Sequence, residues 1–255
     1  MKLGASPPPA TDPAPAAEDY LAWKDWRADR FATFSERDRR YYAWHLARAL
    51  GPAHRSAAAL QVLEIGFGNG GFLGWARGQG HQASGVEVSS ALVARARAAG
   101  YTAFASPDEL QAEARFDLIV AFDVLEHVPL AEVTAFLSGL AARLAPEGRI
   151  LLRFPNTESP FGQWYQNGDI THVTALGLSR MRQLAPRSGL RLLHWGERLP
   201  WYLEPGLARI PAGIYRSLRR LFERFLRKMY RLDRSLDLSP NQLVVLAHAA
   251  PDEKR

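Results

Sequence analysis

The apolar run Leu60-Gln61-Val62-Leu63-Glu64-Ile65 stops at Gly66-Phe67-Gly68-Asn69-Gly70-Gly71, and helical spacing then continues through Ala76. A buried strand that ends in glycines and restarts as a helix opens an α/β unit. Glycine lets the backbone turn tightly and lets a ligand approach the main chain. A plain strand-to-helix turn needs one glycine, whereas this loop holds four.

The alternation continues downstream. Gln82 to Val88 reads as a second strand and Ser89 to Ala99 as a helix. Tyr101 to Ala105 is a short third strand, and Phe116 to Phe122, nearly all apolar, has the composition of a central parallel strand. A helix over Leu130 to Leu144 precedes a strand over Arg149 to Phe154. Ala175 to Ala185 reads as helix, and Leu190 to Trp195 and Gln242 to His248 as the last two strands. The pattern predicts an α/β fold, a doubly wound seven-stranded parallel sheet with helices on both faces.

Residues 1–17, rich in Pro and Ala, read as a disordered tail. Residues 18–55 read as an N-terminal helical extension, whose Tyr20, Trp23, Trp26, Phe31, Phe34, Tyr41, Trp44 and Leu46 are expected to pack on the main domain over 56–255. Residues 199–240 form an insertion before the last strand. The chain has no cysteine, which excludes disulfides, thiolate metal ligands and thiol nucleophiles. It shows neither a signal-peptide pattern at its start nor an apolar run of the ~18 residues that span a bilayer, so a cytoplasmic protein is expected.

The loop motif G-x-G-x-x-G alone is shared with dinucleotide-binding proteins. Glu64 separates the two cases. A carboxylate inside a buried strand end is costly unless something pairs with it. It would repel a pyrophosphate but would suit a cationic ligand carrying a sulfonium and an ammonium. Glu87, seventeen residues after Gly70 at the end of the second strand, can accept hydrogen bonds from a ribose diol.

Val62 to Gly70 resembles the cofactor loop of class I S-adenosylmethionine-dependent methyltransferases. Phe116-Asp117-Leu118-Ile119-Val120-Ala121-Phe122-Asp123-Val124-Leu125-Glu126-His127-Val128 resembles their fourth-strand motif, in the branch ending in Glu-His-Val that includes quinone, natural-product and surface-polysaccharide methyltransferases. Leu144-Ala145-Pro146-Glu147-Gly148 resembles their turn into the fifth strand, with Glu147 in place of a glycine. The resemblance covers roughly 60–195 and implies a Rossmann-like fold. It also implies that Glu64, Gly66, Phe67, Gly68 and Asn69 line the methionine part of S-adenosylmethionine, Glu87 takes the ribose, and Val88 flanks the adenine. Ser106, after the third strand, would cover the adenine edge, and the backbone at Phe122 and Asp123 would face the sulfonium.

Methylating a hydroxyl requires alignment and removal of its proton, by a base or with a metal. His127 directly follows the fourth strand, and the same Glu-His pair is often a structural joint in this superfamily. His172 lies in a polar loop with Asp169, which could orient it or touch substrate. These three are the candidate catalytic residues. Asp123, Glu126, His127 and His172 together offer two carboxylates and two imidazoles. They resemble the metal-binding pattern of small-RNA 2′-O-methyltransferases, so a divalent metal is a second possible cofactor, and mixed ligands of this kind suit a transition ion better than Mg²⁺.

Residues 205–234 carry nine Arg and Lys against two acids, a net +7 beside +6 for the whole chain. Ile214, Leu218, Leu221, Phe222, Phe225, Met229 and Leu232 recur at three- and four-residue steps, with arginines on the other face. This is a basic amphipathic helix. Its apolar stripe either docks on the protein or meets an anionic membrane surface or lipid-linked substrate. With few solvent-facing aromatics, it suits nucleic acid least. Together the features lead us to expect O-methylation of a sugar, glycan or lipid-linked acceptor, releasing S-adenosylhomocysteine, by a protein peripheral on the inner membrane face. A small-molecule (quinone or natural-product) O-methyltransferase is the alternative, followed by an RNA 2′-O-methyltransferase and by a non-catalytic cofactor binder recruited to a membrane or partner.

Overall fold

A computed structural model of the chain describes residues 24, 26, 28–51, 59–200, 211–232 and 236–249. The 1–17 tail, Tyr20, Trp23, and the two ends of the 205–234 segment lie outside the described residues.

A short 3₁₀ turn at Ala28–Arg30 leads to helix α1 (Glu36–Leu50). Its start is fixed by a reciprocal cap: the Ser35 hydroxyl accepts from the Asp38 backbone N–H at 3.1 Å, and the Asp38 carboxylate accepts from the Ser35 N–H at 2.9 Å. The α/β core follows as β1 (Gln61–Ile65), α2 (Gly71–Gly78), β2 (Gln82–Val86), α3 (Ser90–Ala98), β3 (Thr102–Phe104), β4 (Phe116–Phe122), α4 (Leu130–Ala142) and β5 (Leu144–Pro155). Then come α5 (Gln163–Asn167), α6 (Leu178–Arg187), β6 (Leu190–Trp195), α7 (Ala212–Met229) and β7 (Asn241–His248).

The seven strands form one sheet in the order β3-β2-β1-β4-β5-β7-β6. It is mixed rather than all parallel. β7 runs antiparallel to both β5 and β6, because it returns through the insertion and enters between them. β5 also begins earlier than expected. Leu144 already pairs with Phe116, and a register shift absorbs Ala145–Gly148 before Arg149 pairs with Leu118.

Both faces of the central strands are buried, so their apolar runs need no alternation. On one face Leu63, Ile119, Ile150 and Leu246 pack against Val133 and Leu137 of α4 and Met181 of α6. On the other, Val62, Leu118, Val120 and Val245 pack against Phe72 and Trp75 of α2 and Ala49 of α1, with Tyr42 and Trp44 alongside. The aromatic residues of α1 thus pack on the domain. β1 and β4 send their chains to opposite sides of the sheet, which opens a crevice at their carboxyl ends where folds of this kind bind ligands.

Candidate active site

The glycine loop sits at the mouth of that crevice. Gly66 and Gly68 have φ of +68° and +52°, and a Cβ would lie 2.6 Å from the Val124 side chain at Gly66 and 2.8 Å from the Trp26 ring at Gly68. Glycine is required at both positions by backbone sign and by close approach.

Glu64 is buried beneath this loop, and its Oε2 has no hydrogen-bond partner. Burial, reinforced by the nearby Glu87 charge, pushes its carboxyl well above the ordinary range, against a hydrogen bond from the Leu73 backbone in the first turn of α2. A buried acid with an unpaired oxygen suits a cationic ligand and disfavours a diphosphate. Glu87 lies just beyond β2. One of its oxygens accepts from the Gly68 N–H at 3.0 Å and the other from the Ser89 N–H at 3.1 Å. Its carboxylate is therefore fixed in place, and each oxygen keeps a lone pair for further donors.

The other loop residues are held as follows. Phe67 is buried, its ring edge-on to Phe31 at 6.2 Å. Asn69 turns toward the N-terminal extension: its amide donates to the Arg30 carbonyl at 3.0 Å, and its own carbonyl accepts from the Ala32 N–H at 2.8 Å. Arg95 ties the same strap down by donating to the Trp26 carbonyl at 3.0 Å. Val88 is 90% exposed, open for contact with a flat ligand. Ser106 caps the 3₁₀ turn Pro107–Glu109 by accepting from the Asp108 N–H at 3.1 Å. The Phe122 ring packs against Phe72, His45 and Tyr42.

Asp123 ends β4 with φ of +55°, a strained angle for a non-glycine residue. Both of its carboxylate oxygens accept from Arg153 Nη1, so it faces β5 rather than the histidines. Arg153 in turn donates through Nε to Glu197 Oε1 at 3.0 Å. That oxygen also meets the Tyr41 hydroxyl at 2.8 Å and His45 Nε2 at 3.0 Å. Burial alone would raise the Glu197 carboxyl, but Arg153 and the bonds from His45 and Tyr41 lower it to about 2. Sequence reading missed this buried network. Arg153, a lone charge inside Ile150-Leu151-Leu152-Arg153-Phe154, was the available signal, whereas nothing local marks Glu197.

Beside it the structure brings together Glu126, His127, Asp169 and His172. Glu126 is 1% exposed and neither carboxylate oxygen has a hydrogen-bond partner. Burial, then the Asp123 charge, pushes it up to about 8. The His127 and His172 rings meet edge to face at 4.7 Å. Burial and the neighbouring His172 lower His127. Burial would raise Asp169, but bonds from the Thr171 hydroxyl and N–H outweigh it and lower its carboxyl. Lys24 lies 3.5 Å from Asp169. The expected quartet of Asp123, Glu126, His127 and His172 is thus divided, with Asp123 on Arg153 and the other three together.

The fold places the glycine loop and the buried Glu64 at the crevice of a doubly wound domain. The family model described as "Methyltransferase domain" matches residues 21–195, and the chain belongs to that family. It is a methyltransferase, and its cofactor is S-adenosylmethionine. A SAM-dependent methyltransferase from Archaeoglobus fulgidus is similar, with a TM-score of 0.59, 16% identity, and coverage of 91% of this chain and 99% of that one. An S-adenosylmethionine-dependent methyltransferase from Mesorhizobium loti is similar at TM-score 0.51 and 22% identity, covering 80% and 97%. The CcbJ methyltransferase from Streptomyces caelestis is similar at TM-score 0.53 and 15% identity, covering 88% and 96%. At these identities the likeness is one of fold. Comparison with curated protein sequences returns no match.

Proposed function

We propose that this methyltransferase methylates a hydroxyl oxygen of a lipid-linked sugar or glycan at an anionic membrane surface. The orientation of α7 carries this reading. Usually a surface helix turns its apolar stripe inward. Here the helix docks through polar groups: Glu223 accepts from Arg198 at 3.1 Å, Arg219 donates to the Ser239 hydroxyl at 3.4 Å, and Arg227 donates to the Leu236 carbonyl at 2.6 Å. Ile214, Leu218, Leu221, Phe222, Phe225 and Met229 are left 53 to 62% exposed. Arg224 and Lys228, exposed and four residues apart, lie beside that row. An apolar stripe flanked by cations suits the headgroup boundary of an anionic bilayer. No described helix is long and apolar enough to cross a membrane, so contact through α7 would be lateral.

S-adenosylmethionine supplies an electrophilic methyl group on a positive sulfur. Glu64 neutralises the charge of its methionine end, and Glu87 holds the ribose. The glycine loop lets the main chain approach, while Val88 and Ser106 flank the adenine. The acceptor oxygen forms a bond to the methyl carbon as the S–C bond breaks, and S-adenosylhomocysteine leaves. The hydroxyl proton is removed at the cluster of His172, His127 and Asp169.

The test pairs two readings. Vesicles containing phosphatidylglycerol should co-sediment with the wild-type chain, more weakly as salt rises, and a Leu221→Asp/Phe225→Asp variant should stay in the supernatant. Equal behaviour of the two proteins would contradict the membrane reading. With labelled cofactor and cell extract, label is expected in the lipid-extractable fraction. Label confined to water-soluble small molecules would overturn the acceptor class, and no transfer at all would overturn catalysis.

A further inference from the structure

The cluster around Glu126 holds buried polar atoms that find no hydrogen-bond partner. Thr171 donates its hydroxyl hydrogen to Asp169 Oδ1 at 2.5 Å, so towards His127 Nδ1, 3.0 Å away, its oxygen can only accept. The other neighbour of that nitrogen is the Thr171 carbonyl at 3.2 Å. His127 Nδ1 therefore carries the hydrogen, which leaves Nε2 of the neutral ring with its lone pair. His172 repeats the arrangement, since its Nδ1 faces the Gln166 carbonyl at 3.2 Å and its Nε2 is left bare. That Nε2 lies 3.9 Å from Glu126 Oε1 and 3.7 Å from Asp169 Oδ2, too far for hydrogen bonds. Both Glu126 oxygens are buried without a partner.

Histidines whose far nitrogens are pinned to backbone carbonyls, facing a carboxylate, are arranged as metal-ligating histidines are. One ligand atom from each of Glu126, His127 and His172 lies within 4.8 Å of the others. Donors around a single ion at ~2.1 Å sit roughly 3 to 4 Å apart, so closure needs each side chain to move by about half an ångström.

We infer that Glu126, His127 and His172 bind one divalent transition-metal ion, with an open coordination position for the acceptor hydroxyl. The site itself stands on this geometry. Only the acceptor's place in it rests on the function proposed above. Two imidazoles and one carboxylate favour Zn²⁺, Mn²⁺ or Fe²⁺ over Mg²⁺. A hydroxyl bound there loses its proton to solvent more readily. Its oxygen then takes the methyl carbon as the bond to sulfur breaks, so charge and atoms balance.

The full chain, stripped with chelator and dialysed, should bind one Zn²⁺ in calorimetry and give a visible Co²⁺ absorption band, while Mg²⁺ gives no heat. His127→Ala and His172→Ala should each weaken Zn²⁺ binding by ten-fold or more, with unchanged S-adenosylmethionine affinity as evidence of folding. Thermal melting of the unmodified chain adds a reading that needs no variant: Zn²⁺ should raise Tm, and chelator should reverse the rise. Absence of stoichiometric Zn²⁺ binding and of a Tm shift, or equal Zn²⁺ affinity in wild type and both variants, would overturn the site. Loss of cofactor binding by the wild-type chain would instead overturn the reading of the glycine loop.

Discussion

At the scale of single residues, two acids divide the work at the glycine loop. Glu64 is buried with an unpaired oxygen, whereas Glu87 is pinned by the Gly68 and Ser89 N–H groups with lone pairs to spare. Replacing Glu87 with Ala should therefore remove bonds to the ribose and also loosen the loop. The expected loss of S-adenosylmethionine affinity is about 1–3 kcal/mol, measured by calorimetry; unchanged affinity would contradict the ribose role. The position of Glu64 was legible because a carboxylate in an apolar strand demands a reason. The fate of Asp123 was not. Its spacing to Glu126 and His127 on a strand end suggested a shared site, and only the neighbouring strand, which brings Arg153 alongside, shows where the side chain goes.

At the scale of elements, α1 and the segment before it are fastened to the sheet by two kinds of contact. The first is the buried network centred on Glu197, which joins α1 through Tyr41 and His45 to β5 through Arg153. Glu197→Ala leaves Arg153 with one acid fewer in a buried setting and should cost about 3–5 kcal/mol in chemical denaturation. Because Glu197 is held down to about 2, its contribution is fully present above the ordinary carboxylate range of about 4.3. That contribution is lost as pH falls toward the lowered value, so the wild-type chain should lose stability across this acid window and the variant should lose less of it. The second contact is steric. A Cβ on Gly74 in α2 would lie 2.1 Å from the Ala32 carbonyl oxygen. Ala is ordinarily better than Gly inside a helix by about 1 kcal/mol, yet Gly74→Ala should destabilise, displace the segment around Ala32, and speed limited proteolysis there. Stabilisation with unchanged proteolysis would contradict the close approach. Helical and strand periodicity made the main elements legible to within a few residues. The packing of the extension was legible only as a face of bulky aromatics, since its partners lie far along the chain.

At the scale of the molecule, the order of strands and the crevice between β1 and β4 follow from the βα alternation and its glycine loop. The reversal of β7 does not, because a strand reads alike in either direction. The orientation of α7 was equally hidden. Its apolar and basic residues were plain in the sequence, but which side docks is decided by Glu223 on Arg198, Arg219 on Ser239 and Arg227 on the Leu236 carbonyl. The account as a whole depends on the buried Glu64 receiving a cation. Burial without ligand raises its carboxyl and a bound cation lowers it again, so cofactor binding should favour release of the Glu64 proton, and affinity should increase as pH rises. Calorimetric titration of S-adenosylmethionine into wild type and Glu64→Gln, in two buffers of unlike ionisation heat, measures this directly. The expected result is net proton release on binding by the wild type, less by the variant, and markedly weaker binding by the variant. Tight binding without proton release, matched by Glu64→Gln, would contradict it.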